Sequence, residues 1–273
     1  MFYVYKKDKV EKEPMGLIVR LFVFGMIAGP IAGLLETVAF NMFEALLNPG
    51  ALLLILEYFI GVAAVEEGLK YIFLSTVRKN PNFNYVFDGI VYAVAVSLGF
   101  AALENVLYVF DGGLEVAVMR AIFSVPGHCA DGVIMGCFFG LAKQHEMHGR
   151  KSSATLNYVL AFVLPTIEHG FYDAALSSES DILALIGMAF QLAFIAFAAF
   201  LVHKISKEDS LVHQSLGQQP SAGYESIPPQ FKQPTEQNWA QTNQGSPAAP
   251  TPPPSYGQHN SFNNPNDYNN LNH

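Results

Sequence analysis

Long apolar stretches separated by short polar segments make up the first 205 or so residues of the chain. There are six of them, and each is about 20 residues or longer, which is enough for a helix to cross a hydrocarbon core of roughly 30 Å. The stretches cover approximately residues 17–40, 51–77, 86–110, 115–142, 156–177 and 182–203. This pattern predicts an all-α fold, a polytopic membrane helix bundle of about six transmembrane helices.

The positions of Lys and Arg between the stretches predict the orientation of the bundle. Basic residues precede the first stretch and follow the second, fourth and sixth: Lys6, Lys7, Lys9, Lys12, Arg78, Lys79, Lys143, Arg150, Lys151, Lys204 and Lys207. The other connections carry none. Because cytoplasmic loops are enriched in Lys and Arg, we expect both termini in the cytoplasm. The first stretch lacks a small-residue cleavage site, so we expect it to remain as a membrane helix.

The composition changes sharply near residue 209. Residues 210–273 contain ten Pro, nine Gln and nine Asn, which together fill 28 of 64 positions. Such a segment buries too little apolar surface to offset the entropy of ordering it. We therefore predict a membrane domain at residues 1–208 and a disordered cytoplasmic tail at residues 209–273.

Composition and charge argue against several classes of protein. Hydrophobic residues are 51% of the chain and charged residues only 14%, unlike an ordinary soluble domain. The net charge of −8 gives no basic surface for nucleic acid, so we expect no nucleic-acid partner. Cys129 and Cys137 are eight residues apart on one predicted helix, a separation of roughly 12 Å that is too long for a disulfide.

Three charged residues fall inside the second apolar stretch: Glu66, Glu67 and Lys70. Each ionised side chain costs roughly 2.5–3.5 kcal/mol at the centre of a membrane helix. Lys70 follows Glu66 by four residues and Glu67 by three, so it can form a structural ion pair with one of them. The second carboxylate then remains for another role.

Other polar residues lie inside the third, fourth and fifth stretches. They are Glu104, His128, His169 and Asp173. His169 and Asp173 are four residues apart and share a helix face. A lone intramembrane His is usually a packed, hydrogen-bonded side chain. Two His and several carboxylates on four different helices at comparable depth predict a functional site instead.

Prolines near the two histidines are a further clue. Pro126 precedes His128 by two residues and Pro165 precedes His169 by four, so each is expected to kink a helix and open a cavity for water. Glu168 points about 100° away from its neighbour His169 on a helix and is a weaker candidate. The remaining intramembrane charges are expected to form structural pairs: Glu36, Arg120 and Asp131.

Four motifs in order resemble those of the PrsW family of intramembrane proteases, which is related to the CAAX prenyl endopeptidases. They are Glu66-Glu67-Gly-Leu-Lys70, Phe100-Ala-Ala-Leu-Glu104, His128-Cys-Ala-Asp-Gly132 and His169-Gly-Phe-Tyr-Asp173. Any one motif is weak, but the four in order on four stretches are a specific match. The resemblance covers roughly residues 6–205, and many relatives carry a further membrane helix before this region.

The resemblance implies an intramembrane endopeptidase that cuts membrane-anchored substrates. Founding bacterial members are linked to site-1 cleavage of anti-sigma factors, so the implied partners are the lipid bilayer and a single-pass membrane protein such as an anti-sigma factor. The tail lies outside the resemblance. The resemblance implies six catalytic residues: the acids of the first motif, the acid of the second, the His of the third and the pair of the fourth. They are Glu66, Glu67, Glu104, His128, His169 and Asp173.

Two chemistries fit these residues. In a metal-free form, one carboxylate of the Glu66–Glu67 pair, aided by His128, activates water, and His169, oriented by Asp173, stabilises the oxyanion. In a metal form, His128, His169 and Glu67 bind a divalent metal such as zinc. The sequence has no HExxH motif to decide between them, and we slightly favour the form without a cofactor.

Two other classes of function remain as alternatives. A proton-coupled transporter also places acids and His near the midplane, although no inverted repeat relates the two halves of this sequence. A non-catalytic membrane scaffold would be favoured if the acids of the first motif were missing, and both are present.

Overall fold

The structure is a computed structural model that describes residues 1–8 and 11–217, apart from the side chains of residues 111 and 210–217. Over this part of the chain the protein is helical and contains no strand. The helices are α1 (Phe2–Lys7), α2 (Met15–Leu46), α3 (Ala51–Ile55), the π-helix π1 (Leu56–Ala63), α4 (Ala64–Ser75), α5 (Val86–Ile122), α6 (Ser124–Met147), α7 (Lys151–Leu176) and α8 (Asp181–Gly217). The backbone of α8 continues past the predicted boundary at residue 208, and residues 218–273 of the predicted tail lie outside the described residues.

Four helical stretches are long and apolar enough to cross a membrane. They are Met15–Leu46, Val86–Phe110, Gly112–Met147 and Asp181–Asp209. The predicted second and fifth spans are also helical, over residues 51–75 and 151–176, but each carries several charged or polar residues. The protein is therefore an all-α, multi-pass membrane bundle, and its number of six spans stays a prediction.

The predicted fourth span, residues 115–142, is interrupted in the structure. Just before this span, Gly113 has φ +73° inside α5 and leaves the helical conformation, in a backbone region that favours glycine. A new helix, α6, begins at Ser124. His128 therefore lies near the start of α6, and it is also close to the middle of the apolar stretch Gly112–Met147. Pro126 occupies the first turn of α6, three residues after the break at Phe123, which is where the clash of a proline ring with the carbonyl group four residues before it favours a break.

Close contact between α5 and α6 fixes the register of the site. A Cβ atom on Gly136 would lie 2.4 Å from the carbonyl oxygen of Gly89, and one on Gly140 would lie 2.3 Å from that of Val86. Small residues at such positions allow two membrane helices to approach backbone to backbone. This contact holds the first half of α5, which ends in Glu104, against α6, which carries His128.

A π-helix precedes the first acidic motif. The helical path runs without interruption from α3 through π1 into α4. A Cβ atom on Gly170 of α7 would lie 2.8 Å from the ring of Phe59, so π1 and α7 pack closely. π-helical turns are rare, and those that do occur are frequently found at functional sites. Here the π-helix packs against α7 through Phe59, seven residues before Glu66.

Candidate active site

Lys70 lies in the middle of a buried polar network. Its Nζ atom is 2.8 Å from Glu67 Oε1 and 3.3 Å from Glu66 Oε2. It is also 3.0 Å from Nδ1 of His128 and 4.2 Å from the ring centroid of Phe100. The predicted ion pair between Lys70 and one glutamate is present, and the i+3 and i+4 spacings bring the second carboxylate to the same ammonium group as well.

His128 is held between Lys70 and Glu104. Its Nε2 atom is 2.8 Å from Glu104 Oε2, and the other oxygen of Glu104 is 2.7 Å from Nη2 of Arg120. Arg120 also donates from Nε to Asn105 Oδ1 over 3.1 Å. Arg120 thus forms a structural pair as predicted, and the break at Gly113 turns its segment back toward Glu104. A carboxylate fixed in this way orients the imidazole ring of His128.

His169 joins the first acidic motif to the fourth. Its Nδ1 atom is 2.9 Å from Glu67 Oε1, and its Nε2 atom is 3.2 Å from Asp173 Oδ2. The distance from Nε2 to Glu66 Oε2 is 3.8 Å. The contact between His169 and Asp173 is the one that their four-residue spacing predicts. The rings of His128 and His169 meet edge to face with centroids 5.3 Å apart.

The structure therefore brings all six residues predicted to be catalytic into one network with Lys70. They come from four helices, α4, α5, α6 and α7. Glu67 and Lys70 are fully buried, whereas the side chains of Glu104 and Asp173 are 16% and 26% exposed. The network thus has a closed side and an open side.

A cavity of about 430 Å³ lies on the open side of the network. Glu66 borders this cavity, while Glu67 and Lys70 are absent from its lining. The other network residues that line it are Glu104, His128, His169 and Asp173. Aromatic side chains form part of the remaining wall, among them Phe40, Tyr58, Tyr108 and Tyr172. A polar reaction centre therefore opens onto a half-apolar space, as expected for a site that binds an organic ligand.

Four network residues could hold a metal ion. Glu66, Glu67, His128 and His169 each offer a ligand atom, and these atoms lie within 4.8 Å of one another. This set of nitrogen and oxygen donors suits zinc. Oxygen Oε2 of Glu67 is buried and has no hydrogen-bond partner in the described part of the chain, so it is available as a ligand. The donor set thus fits a divalent metal, and it adds Glu66 to the predicted set of His128, His169 and Glu67.

The outer partners of the two histidines also fit a metal site. Glu104 contacts the Nε2 atom of His128, and Asp173 contacts the Nε2 atom of His169. Histidines that bind metals commonly place their second ring nitrogen against a carboxylate in this way. The Nδ1 atom of His169 then faces Glu67, and the Nδ1 atom of His128 faces Lys70.

The weaker candidates have different surroundings from those predicted. Glu168 is 4% exposed and lines the cavity despite its angle to His169, because the cavity extends between α6, α7 and α8. Its carboxyl group lies close to that of Asp131 on α6. Glu36 also lines the cavity. Asp131 therefore has an acidic neighbour where the sequence predicted an ion pair.

Sequence reasoning missed Gln191 of α8, which is 2% exposed and lines the same cavity. A signal for it exists, because it is the one strongly polar residue between positions 183 and 202. A polar side chain inside a membrane helix is expected to face the interior of the bundle. The aromatic lining residues carry no comparable signal, since aromatic residues occur throughout the apolar stretches.

Comparisons with known proteins agree with this geometry. The model of a family described as PrsW family intramembrane metalloprotease matches residues 13–202. A protease PrsW of Oceanobacillus iheyensis is 37% identical over 183 residues, which cover 66% of this chain and 78% of the relative. A protease PrsW of Geobacillus kaustophilus is 38% identical over 175 residues, 63% of this chain and 72% of the relative. The protease PrsW of Bacillus subtilis is 33% identical over 180 residues, 66% of this chain and 78% of the relative. No solved structure matches significantly.

Proposed function

The chain belongs to the PrsW family of intramembrane metalloproteases and is an intramembrane protease, and from this premise we propose that it cleaves a single-pass membrane protein at the buried network. One observation carries the proposal: the carboxylate of Glu66 borders a cavity of about 430 Å³ together with both histidines. The proposed substrate is of the anti-sigma-factor type, which follows from the resemblance of the four motifs.

The proposed orientation places both termini in the cytoplasm. Its support is the basic residues that flank the ends of the helices. From Lys151, at the basic end of α7, to His169 is about 27 Å along the helix, and a similar length separates His128 from Met147. The reaction centre then lies in the half of the membrane away from the cytoplasm, where it cuts a substrate near the outer end of its membrane segment.

In the proposed mechanism, Glu66 is the general base. Glu67 is held by Lys70 at 2.8 Å and by His169 at 2.9 Å, and it does not border the cavity. Glu66 borders the cavity and is less tightly held, with Lys70 at 3.3 Å. The carboxylate that can reach a water molecule beside a bound substrate is therefore that of Glu66.

The reaction is a peptide-bond hydrolysis with one proton carried by the enzyme. Glu66 accepts a proton from water as the water oxygen bonds to the carbonyl carbon of the substrate. His169, held between Glu67 and Asp173, keeps the acidic pair in position beside the substrate carbonyl. The carbon–nitrogen bond then breaks, and Glu66 returns the proton to the leaving nitrogen. Lys70 and His128 hold the acidic pair in place during these steps.

The family description implies a metal, in contrast to the metal-free form that the sequence slightly favoured. A divalent ion such as zinc would be held by His128, His169 and Glu67, which leaves Glu66 free to act as the base, and it would supply a Lewis acid that polarises the reacting oxygen. Glu104 and Asp173 orient the two imidazole rings for that purpose. The family match also favours a protease over the transporter and scaffold alternatives.

The proposed function is tested by mapping new protein N-termini in membranes. Membranes from cells that express the intact chain are compared with membranes that contain the Glu66→Gln/Glu67→Gln variant at the same level, with Glu146→Gln as a control for the loss of an acidic side chain. We expect new N-termini near single-pass membrane segments with the intact chain and the control only. Identical maps for all three chains, with the substrates shown to be present, would overturn the proposal.

A further inference from the structure

We propose that Asp131, Glu168 and Gln191 form a subsite that binds a cationic Lys or Arg side chain of the substrate next to the cleaved bond. This inference rests on the proposed function and adds a substrate class to it. The three residues come from three helices, α6, α7 and α8. Each is 4% exposed or less, and all three line the cavity that Glu66 borders.

Unpartnered oxygen atoms are the first argument for this subsite. Asp131 Oδ1, Glu168 Oε1 and Gln191 Oε1 are buried, and none has a hydrogen-bond partner among the residues that the structure describes. Leaving a buried acceptor without a hydrogen bond costs free energy. Gln191 is an uncharged residue on a separate helix, so its free oxygen is an observation independent of the two acids. A ligand that brings several donors would satisfy all three oxygens.

The charge of the cavity wall indicates that the ligand is a cation. Six carboxylates line the cavity: Glu36, Glu66, Glu104, Asp131, Glu168 and Asp173. Arg120 is the one Arg or Lys in the lining, and its guanidinium group is paired with Glu104 at 2.7 Å. The two histidines of the lining contact Glu104 and Asp173. A cleft lined by one sign of charge concentrates ligands of the opposite sign. An ammonium group offers three donors and a guanidinium group five, and neither has an acceptor.

An organic cation fits this subsite better than a metal ion does. In the described part of the chain, the donors close enough to share a metal are those of Glu66, Glu67, His128 and His169, and this group does not include Asp131 or Glu168. The aromatic wall of the cavity provides apolar surface along which the alkyl stem of Lys or Arg can lie.

The position of the subsite on the helices places it next to the reaction centre. Asp131 follows His128 by three residues on α6, and Glu168 directly precedes His169 on α7. These separations correspond to about 4.5 Å and 1.5 Å along the helix axes. A side chain that reaches the subsite therefore comes from a substrate residue at the cleaved bond or beside it.

The inference is tested with matched membrane substrates. A single-pass substrate is prepared with Lys or with Met at each of four positions on either side of the cleaved bond, and both forms are cleaved in proteoliposomes. The chains compared are the intact protein, the isosteric Asp131→Asn/Glu168→Gln variant and Glu115→Gln, which removes an exposed acid outside the cavity. The quantity measured is the ratio of the two cleavage rates at each position.

We expect the intact chain and Glu115→Gln to cleave the Lys form about tenfold faster or more at one position, as hydrogen bonds to a buried charge predict. The ratio falls to about one in the double variant. Gln191→Glu, a second variant that adds an acid to the subsite, raises the ratio instead. The absence of a Lys preference at every position, or an equal preference in the intact chain and the double variant, would overturn the inference.

A binding measurement separates this inference from the proposed function. A fluorescent form of each substrate is titrated onto the Glu66→Gln variant, with and without the subsite changes, and the ratio of the two dissociation constants is measured. The subsite is supported if Glu66→Gln binds the Lys form more tightly and the added Asp131→Asn/Glu168→Gln changes abolish this preference. This holds even where the intact chain cleaves no substrate, because the lack of cleavage contradicts only the proposed function. Equal binding of the two forms to Glu66→Gln would overturn the subsite.

Discussion

The same helices are joined by charged side chains at two places, and the two clusters differ in burial. In the buried network, Lys70 of α4 contacts Glu67 at 2.8 Å, and both side chains are fully buried. At the basic ends of α4, α6 and α7, Arg78 contacts Glu146 at 2.8 Å with side chains 46% and 40% exposed. Tyr158 of α7 completes this second cluster through a hydrogen bond of 2.9 Å to Glu146.

The contrast shows that two ion pairs with the same N–O distance can contribute differently to stability. The exposed pair gains little, because water screens it and solvates either partner alone. The buried pair has lost its hydration, and each group depends on the others for compensation. A chain that keeps such a network between membrane helices bears a cost that the exposed cluster does not. A catalytic role is a reason to keep it.

The largest expected effect on stability comes from removing the cation at the centre of the network. Lys70→Met leaves Glu66 and Glu67 buried without their ammonium partner, so we expect the free energy of unfolding to fall by about 3–5 kcal/mol. Steric trapping in bicelles measures this quantity for a membrane protein. A loss below about 1 kcal/mol, the range of exposed ion pairs, would erase the difference between the two clusters.

A smaller effect is expected at the edge of the network, at Arg120. Arg120→Gln removes the charge that holds Glu104, which in turn orients His128, and we expect the rate of substrate cleavage to fall about 10- to 100-fold. The effect should appear in kcat more than in KM. Arg120→Lys keeps the charge but loses the second donor to Asn105, so it should recover only part of the rate. Full activity of Arg120→Gln would show that Glu104 needs no external support.

The smallest effect is expected in the exposed cluster. The hydrogen bond to Glu146 raises the already high pKa of Arg78, so this pair responds to salt and not to ordinary changes of pH. Arg78→Gln should lower the free energy of unfolding by less than about 1 kcal/mol. The difference from the intact chain should shrink further at 1 M salt, where the Debye length is about 3 Å. A loss as large as that of Lys70→Met would contradict the comparison.

Much of the fold and of the site is predictable from particular residues. Apolar stretches of membrane length predict the helices, because no other regular structure of a single segment satisfies its backbone in lipid. The cost of burying Glu66, Glu104, His128 and His169 predicts that they meet, since each needs a partner. The four-residue spacing predicts the contact between His169 and Asp173, which the structure has at 3.2 Å.

Other features depend on packing that no local pattern encodes. The sequence of the π-helix π1 is as apolar as that of an α-helical membrane segment, so it does not predict a π-helix. In the structure, π1 packs closely against Gly170 of α7. To predict the break at Gly113, one would have to know that this glycine, among several, takes a positive φ. Lys70 could be assigned one partner from its spacing, but its contact with His128 joins residues that are 58 positions apart.

The measurement that tests the central claim most directly is the initial rate of substrate cleavage by purified protein in proteoliposomes. Glu66→Gln is compared with Glu146→Gln, so that the same substitution is made once in the buried network and once in the exposed cluster. The account predicts a rate close to that of the intact chain for Glu146→Gln and a fall of about 10²- to 10⁴-fold for Glu66→Gln. Cleavage by Glu66→Gln at the rate of the intact chain would contradict it.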